Sequence, residues 1–243
     1  MKFILFFKKY SAKAAPSYTY AKSIIKAINE VANLINQDAT INDRMKVVFL
    51  ENYNVSLAEK IIPAADVSEQ ISLATKEASG TNNMKLMANG AVTMATMDGA
   101  NVEIRAAVGD ENIYTFGLTE EVYRYYEQGN YSAQAIYDQD PVIRRVLNAF
   151  VDGTLPNIQR EGQEIFDSLL KYNDEFFLLK DFTPYCEVQA KLSQDYLNRE
   201  KWQKMSLINT AKSGIFSADY TVQRYADNIW QIAPVDLHKE KRN

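Results

Sequence analysis

Short apolar runs alternate with amphipathic stretches from the start of the chain to residue 116, and this alternation restricts the fold more than any other feature. Residues 3–7 (Phe-Ile-Leu-Phe-Phe) read as a strand. Residues 18–35 place Ala21, Ile24, Ile25, Ile28, Val31, Ala32 and Ile35 at helical spacing. Residues 45–50, 91–95 and 113–116 are further short apolar runs, with a helix expected near residues 102–108. Ser56 is positioned to cap a short helix through Ile62, which Pro63 would end. Apolar strands separated by helices imply an α/β fold whose mostly parallel sheet is covered on both faces. After Gly117 the pattern changes. Residues 119–127, 134–150, 161–172, 184–197 and 221–229 read as helices, with Asp181 or Thr183 as the cap before Pro184. The expected organisation is an α/β domain over residues 1–117 and a helical extension of the same domain over residues 118–243.

Composition narrows the chemistry. The chain has 243 residues, 47% of them hydrophobic and 24% charged, which fits a globular protein with a real core. Its net charge of −4 offers no electrostatic footprint for nucleic acid and no general attraction to anionic membranes. The apolar start is too short for a signal segment or a membrane span. A single cysteine, Cys186, excludes an intrachain disulfide and a Cys-rich zinc site, and it fits a reducing, cytoplasmic setting. The single histidine, His238, lies in a polar tail. Any Ser-His-Asp triad, Cys-His pair or His-ligated metal would have to use it. Chemistry in this chain is therefore expected to rest on carboxylates, lysine, or a cofactor that brings its own reactivity.

One stretch carries that possibility: EASGTNNMKLMANG, residues 77–90. It opens with small flexible residues and becomes a short helix-like run ended by Gly90, a common residue just past a helix. Thr81 is a candidate N-cap, and the backbone N–H groups of a helix starting there would face an anion such as a phosphate. Lys85 follows about one turn later, and Glu77 and Ser79 precede the turn. The same residues also fit a plain loop followed by a solvated lysine, and they match neither the P-loop nor the dinucleotide-binding glycine pattern.

The run resembles the cofactor-lysine motif of the α-glucan (glycogen, starch, maltodextrin) phosphorylases. KVVFLENYNVSLAEKIIPAADVSEQIS before it and AVTMATMDGANVEI after it resemble the flanking family segments. AKAAPSYTYAK and GIFSADYTVQRYADNIW resemble others, in the same order. The resemblance runs from about Phe3 to Pro234. It implies the later portion of the second Rossmann-like domain of a GT-B fold. It implies pyridoxal 5′-phosphate as cofactor, joined to Lys85 as a Schiff base. Thr81 and the backbone of Gly80, Asn82 and Asn83 would lie near the cofactor phosphate, and Tyr53 beside its ring. Glu77, Ser79 and Gly80 would bind glucosyl hydroxyls. The implied reaction is reversible attack of orthophosphate on the terminal glucose of an α-1,4-glucan, giving glucose 1-phosphate with retained configuration. Family members are usually homodimers.

The chain departs from the family pattern in places. Asn82 stands where a small residue is usual, and Asn54 where many members carry Arg. Ala12 and Ser17 replace glycines, and Tyr220 replaces a frequent Arg. Members are several times longer, and their residues that clamp substrate phosphate have no match here. The expectation is a partial phosphorylase, inactive on its own. The alternatives are a non-catalytic cofactor-binding or interaction module derived from one, and a nucleotide-sugar glycosyltransferase of similar fold.

Overall fold

The computed structural model describes residues 6–11, 14–41, 44–74, 76–119, 124–125, 128–233 and 235. Strand β1 (Phe6–Ser11) leads to helix α1 (Thr19–Gln37) and strand β2 (Met45–Leu50). Helix α2 (Val55–Ile61) and strand β3 (Val67–Gln70) follow. Helix α3 (Asn82–Ala88), strand β4 (Val92–Ala95), helix α4 (Asn101–Val108) and strand β5 (Tyr114–Thr115) complete the α/β part. Every strand pairing is parallel. β1 lies on β2 with Phe6 opposite Met45, and a second sheet runs β3–β4–β5 with Val67 opposite Val92 and Met94 opposite Tyr114. The described strands thus form two parallel ladders. β3 was not foreseen, because Val-Ser-Glu-Gln lacks an apolar run; Ser68 nevertheless is buried in the sheet.

Several boundaries move for local reasons. The strand expected at residues 3–7 is β1, shifted toward its polar end, and residues 1–5 lie outside the described set. Asn54, not Ser56, caps α2: its side chain accepts the Leu57 N–H at 3.0 Å. Pro63 does not stop the chain abruptly. It sits in the first turn of a 3₁₀ segment (Ile62–Ala64), where a missing N–H costs nothing.

Beyond residue 128 the chain is helical: α5 (Ala133–Gln139), α6 (Pro141–Asn148), α7 (Gln159–Leu169), α8 (Leu178–Leu197), α9 (Arg199–Lys212) and α10 (Ala218–Tyr225). The helix expected over residues 134–150 is two. Asp140 precedes a proline, takes an extended conformation, and caps α6 through the N–H groups of Val142 and Ile143. α8 begins six residues earlier than expected, with Pro184 inside it, and neither Asp181 nor Thr183 caps it. Buried Asp174 instead accepts the Leu179 N–H, while Asp181 accepts the Leu118 N–H. α9 was not foreseen at all. α10 runs on into a wider π turn (Ala226–Trp230). Of the helix expected over residues 119–127, only residues 119, 124 and 125 are described.

The core crosses residue 117. One apolar cluster joins Ala27, Leu73 and Ala74 to Tyr131, Ile143, Leu147, Ile158, Ile165 and Phe177. A second joins Val92 and Met94 of β4 to Leu192, Trp202 and Met205 of α8 and α9. The later helices therefore cover the β3–β4–β5 sheet and the α1 face.

Candidate functional site

The stretch from Glu77 to Lys85 leaves the carboxyl end of β3 and enters α3. In parallel α/β sheets this edge is where ligands bind, because helix starts and flexible loops gather there. The local conformation follows from the sequence. Gly80 has φ +81°, the left-handed region open to glycine, and it turns the chain into Thr81. Thr81 occupies the N-cap position with φ −131°, and its side chain makes no capping hydrogen bond. Asn82 is the first residue of α3 and has ordinary helical backbone, so the departure from a small residue adds no backbone strain there.

α3 closes as the sequence suggested. Asn89 is its C-cap, Gly90 has φ +86°, and the Ala91 and Gly90 N–H groups bond to the Leu86 and Met87 carbonyls at 3.0 Å. This is a Schellman closure. Gly90 has a second reason to be glycine: a Cβ there would stand 2.7 Å from the Ser206 hydroxyl on α9. The unforeseen helix α9 thus seats α3, with Met87 buried beneath it.

Glu77, Ser79, Thr81, Asn82 and Lys85 are exposed, and Gly80 is half-buried. Among the described residues, Lys85 makes no side-chain hydrogen bond or ion pair, so its amine is free for a ligand. The first N–H groups of a helix have no intrahelical acceptor. In α3 the Met84 N–H is taken by the Asn83 side chain at 2.9 Å, while among the described residues the N–H groups of Thr81, Asn82 and Asn83 have no acceptor. Asn83 is different: it is buried, and both its amide hydrogens point inward, to the Ser79 carbonyl and to Asn101. Its side chain is framework, and only its backbone remains for a ligand. Tyr53 is half-buried in the turn after β2, beside Asn52 at φ +50°. Among the described residues no hydrogen bond or ring contact links Tyr53 to α3. Asn54 is engaged as the α2 cap and presents no positive charge.

The framework behind the exposed groups comes from residues 96–101, part of the flanking segment AVTMATMDGANVEI to which the sequence reading gave no role in the site. Asp98 accepts the Glu77 N–H at 2.8 Å. The Ala100 N–H bonds to the Ser79 carbonyl at 2.8 Å, and Gly99 allows this approach, because a Cβ there would meet that oxygen at 2.6 Å. Asp-Gly-Ala-Asn (residues 98–101), a short run of small and polar residues soon after an apolar strand, was the available signal.

The groups present fit a phosphate-bearing aldehyde cofactor: N–H donors without an acceptor among the described residues, a hydroxyl on Thr81, and an unpaired amine one helical turn away. Among the described residues no cluster of three metal-ligating side chains occurs, and no helix is long and apolar enough to cross a membrane.

Comparison with known proteins bears on the same residues. The family model described as carbohydrate phosphorylase matches residues 4–232. The chain is 52% identical over 227 residues to a glycogen phosphorylase of Bacillus subtilis (strain 168), covering 93% of this chain and 28% of that protein. It is 45% identical over 225 residues to the liver form of glycogen phosphorylase of Homo sapiens, covering 93% of this chain and 27% of the relative. The muscle form of Mus musculus is 45% identical over 222 residues, covering 91% and 26%. The chain thus spans little more than a quarter of the length of these relatives. A match over nearly every residue, at close to half identity, leaves one conclusion: the chain belongs to the carbohydrate phosphorylase family.

Proposed function

We propose that this chain is the cofactor-bearing part of an α-glucan phosphorylase, with pyridoxal 5′-phosphate held between the start of α3 and Lys85. The observation that carries the reading is the pairing of an exposed, unpaired Lys85 amine with N–H groups one turn before it that have no acceptor among the described residues, at the carboxyl edge of a parallel sheet. Lys85 would hold the aldehyde carbon. The Thr81 hydroxyl and the Thr81 and Asn82 N–H groups would hold the phosphate, with Gly80 and Asn83 contributing backbone. Tyr53 would flank the ring. Bound there, the cofactor supplies an ionisable phosphate for proton exchange with substrate phosphate.

The substrates in this reading are orthophosphate and an α-1,4-glucan, and the product is glucose 1-phosphate with retained configuration. Exposed Glu77 would hydrogen-bond sugar hydroxyls, and Ser79, whose hydroxyl donates to the Gly80 carbonyl at 3.1 Å, would accept from them or exchange that bond. The wider assignment follows the family: a GT-B arrangement in which this chain supplies part of the second Rossmann-like domain, a homodimer, and a cytoplasmic enzyme. The site as described is open to solvent. An open site neither excludes water nor holds two substrates in reactive geometry, so the 243-residue chain alone is expected to show no phosphorolysis. That openness, with coverage near a quarter of the relatives, favours a second reading in the same family: a non-catalytic cofactor-binding or interaction module.

Two assays separate these readings. Incubation with pyridoxal phosphate should give an absorbance band that Lys85→Ala abolishes; no band in the wild type contradicts the cofactor site. Glycogen and phosphate should then give glucose 1-phosphate only when the N-terminal portion of a glycogen phosphorylase is added. Cofactor uptake without turnover under that condition supports the non-catalytic module.

A further inference from the structure

We infer that Asn101, at the start of α4, is a positioning residue that fixes the orientation of the Ser79–Gly80 turn and of the first turn of α3. The inference rests on the cofactor reading above for its functional meaning, and on geometry alone for the positioning itself. Asn101 and Asn83 are each 2% exposed and meet side chain to side chain, the Asn83 Nδ2 donating to the Asn101 Oδ1 at 3.0 Å. The other Asn83 amide hydrogen goes to the Ser79 carbonyl at 3.3 Å, and its Oδ1 accepts the Met84 N–H at 2.9 Å. Asn101 spends its own Nδ2 on the Thr96 carbonyl at 3.2 Å. Thr96 is tied to the end of β3, through its N–H to the Gln70 carbonyl and its hydroxyl to the Ser72 carbonyl.

These contacts form one unbroken chain of hydrogen bonds from β3, through the β4 exit, to the start of α3. The Ser79 carbonyl is gripped from two sides, by Asn83 and by the Ala100 N–H. A hydrophobic pair of the same volume would fill this space at comparable stability, because a typical hydrogen bond adds little net stability once water is displaced from both partners. It would not fix an orientation. Two planar amides with four of their groups committed fix the direction of every partner they touch. Glu77, Ser79, Thr81 and Lys85 all project from the backbone held in this way, although Asn101 itself is buried and touches no ligand group. Its part is therefore to position, not to bind.

The test uses the whole 243-residue chain and three forms of it: wild type, Asn101→Ala, and Ile143→Ala. Ile143 lies in the helical core, so its truncation lowers stability without touching this network. Amide hydrogen exchange is followed at Met84 and Ala100, and pyridoxal phosphate affinity is measured by absorbance titration. Asn101→Ala should speed exchange at both amides by about tenfold beyond Ile143→Ala, and weaken cofactor binding by about tenfold, the scale set by losing one to two buried hydrogen bonds. Exchange in Asn101→Ala no faster than in Ile143→Ala overturns the proposal. If Asn101→Ala does not fold, the same readings on Asn101→Ser decide, since Ser keeps one short acceptor. If the wild type takes up no cofactor, the functional reading fails, and the exchange comparison still decides the positioning role.

Discussion

The helical region from Tyr131 to Leu179 and the site region from Glu77 to Asn101 are built on opposite principles. The first is an apolar cluster with aromatic contacts at its centre: Tyr131 meets Phe177 edge to face at 4.5 Å, and Tyr137 meets Phe166 at 6.2 Å. Its buried acidic residue, Asp174, serves the fold by accepting the Tyr131 hydroxyl and the Leu179 N–H. Burial and that carboxylate push the Tyr131 phenol well above its usual range, so it stays a neutral donor. The second region buries Asn83, Thr96, Asp98 and Asn101 and turns nearly all its chemistry-bearing groups outward. Apolar burial gives stability without fine direction; hydrogen-bonded amides give direction at little net stability. The contrast teaches that damage to the first region should register as global unfolding, and damage to the second as local loosening.

Substitutions can break or sharpen this contrast. The largest effect is expected from Ile143→Ala, which truncates a buried side chain of the helical core. It should lower unfolding free energy by about 3 kcal/mol in denaturant titration, with local exchange at α3 changed only in proportion. Next is Gly162→Ala, whose Cβ would overlap the Phe150 carbonyl where α7 approaches the end of α6. A loss of about 2 kcal/mol is expected, read as a lower thermal midpoint. Gly99→Ala should cost about 2 kcal/mol, because φ is +53° and the Ser79 carbonyl stands 2.6 Å from the new Cβ. Unlike the first two, it should disorder residues 77–83 and abolish cofactor uptake while the helical core keeps its near-ultraviolet signal. Asp140→Ala removes the α6 cap and should cost about 1 kcal/mol in the same titration.

The smallest effect concerns Asp181. Burial raises its pKa first, and neighbouring Asp174 adds to the rise, against the lowering effect of the Leu118 N–H. A carboxyl whose folded pKa is raised stabilises the fold in acid, and that contribution is lost as pH rises through its folded value. Asp181→Asn keeps an oxygen for Leu118 and removes the charge. It should therefore raise the thermal midpoint at neutral pH and leave it nearly unchanged in acid, where wild-type Asp181 is already neutral.

The two regions also differed in how well the sequence disclosed them. β4 was legible because its apolar letters are all buried, and α1, β2 and α4 because their apolar spacing matches the element formed, although α1 buries Ser23, Ala27 and Ala32 and leaves Ile24 exposed. β3 and α9 were not. β3 hides a buried Ser68 among polar letters, and α9 buries only Trp202, Met205 and Asn209 in an otherwise polar run. Asp140-Pro141 was a readable break that the apolar pattern of the two flanking helices obscured. At the site, the exposed residues were legible as a motif, with Gly80 carrying the positive φ and Gly90 the helix stop. The bracing by Asp98, Gly99 and Asn101 was not, since contacts across 18 to 21 positions leave no mark on local spacing. The inward turn of Asn83, expected among the cofactor contacts, follows from the same long-range bracing.

Lys85 is proposed to be the cofactor lysine. Its most direct test is to incubate the chain with substoichiometric pyridoxal phosphate, reduce with borohydride, and map the labelled lysine by peptide mass spectrometry. The account predicts label concentrated on Lys85, lost in Lys85→Arg and not taken up elsewhere. Label spread over the other exposed lysines, such as Lys76 and Lys212, with Lys85 no more reactive than they are, would contradict it.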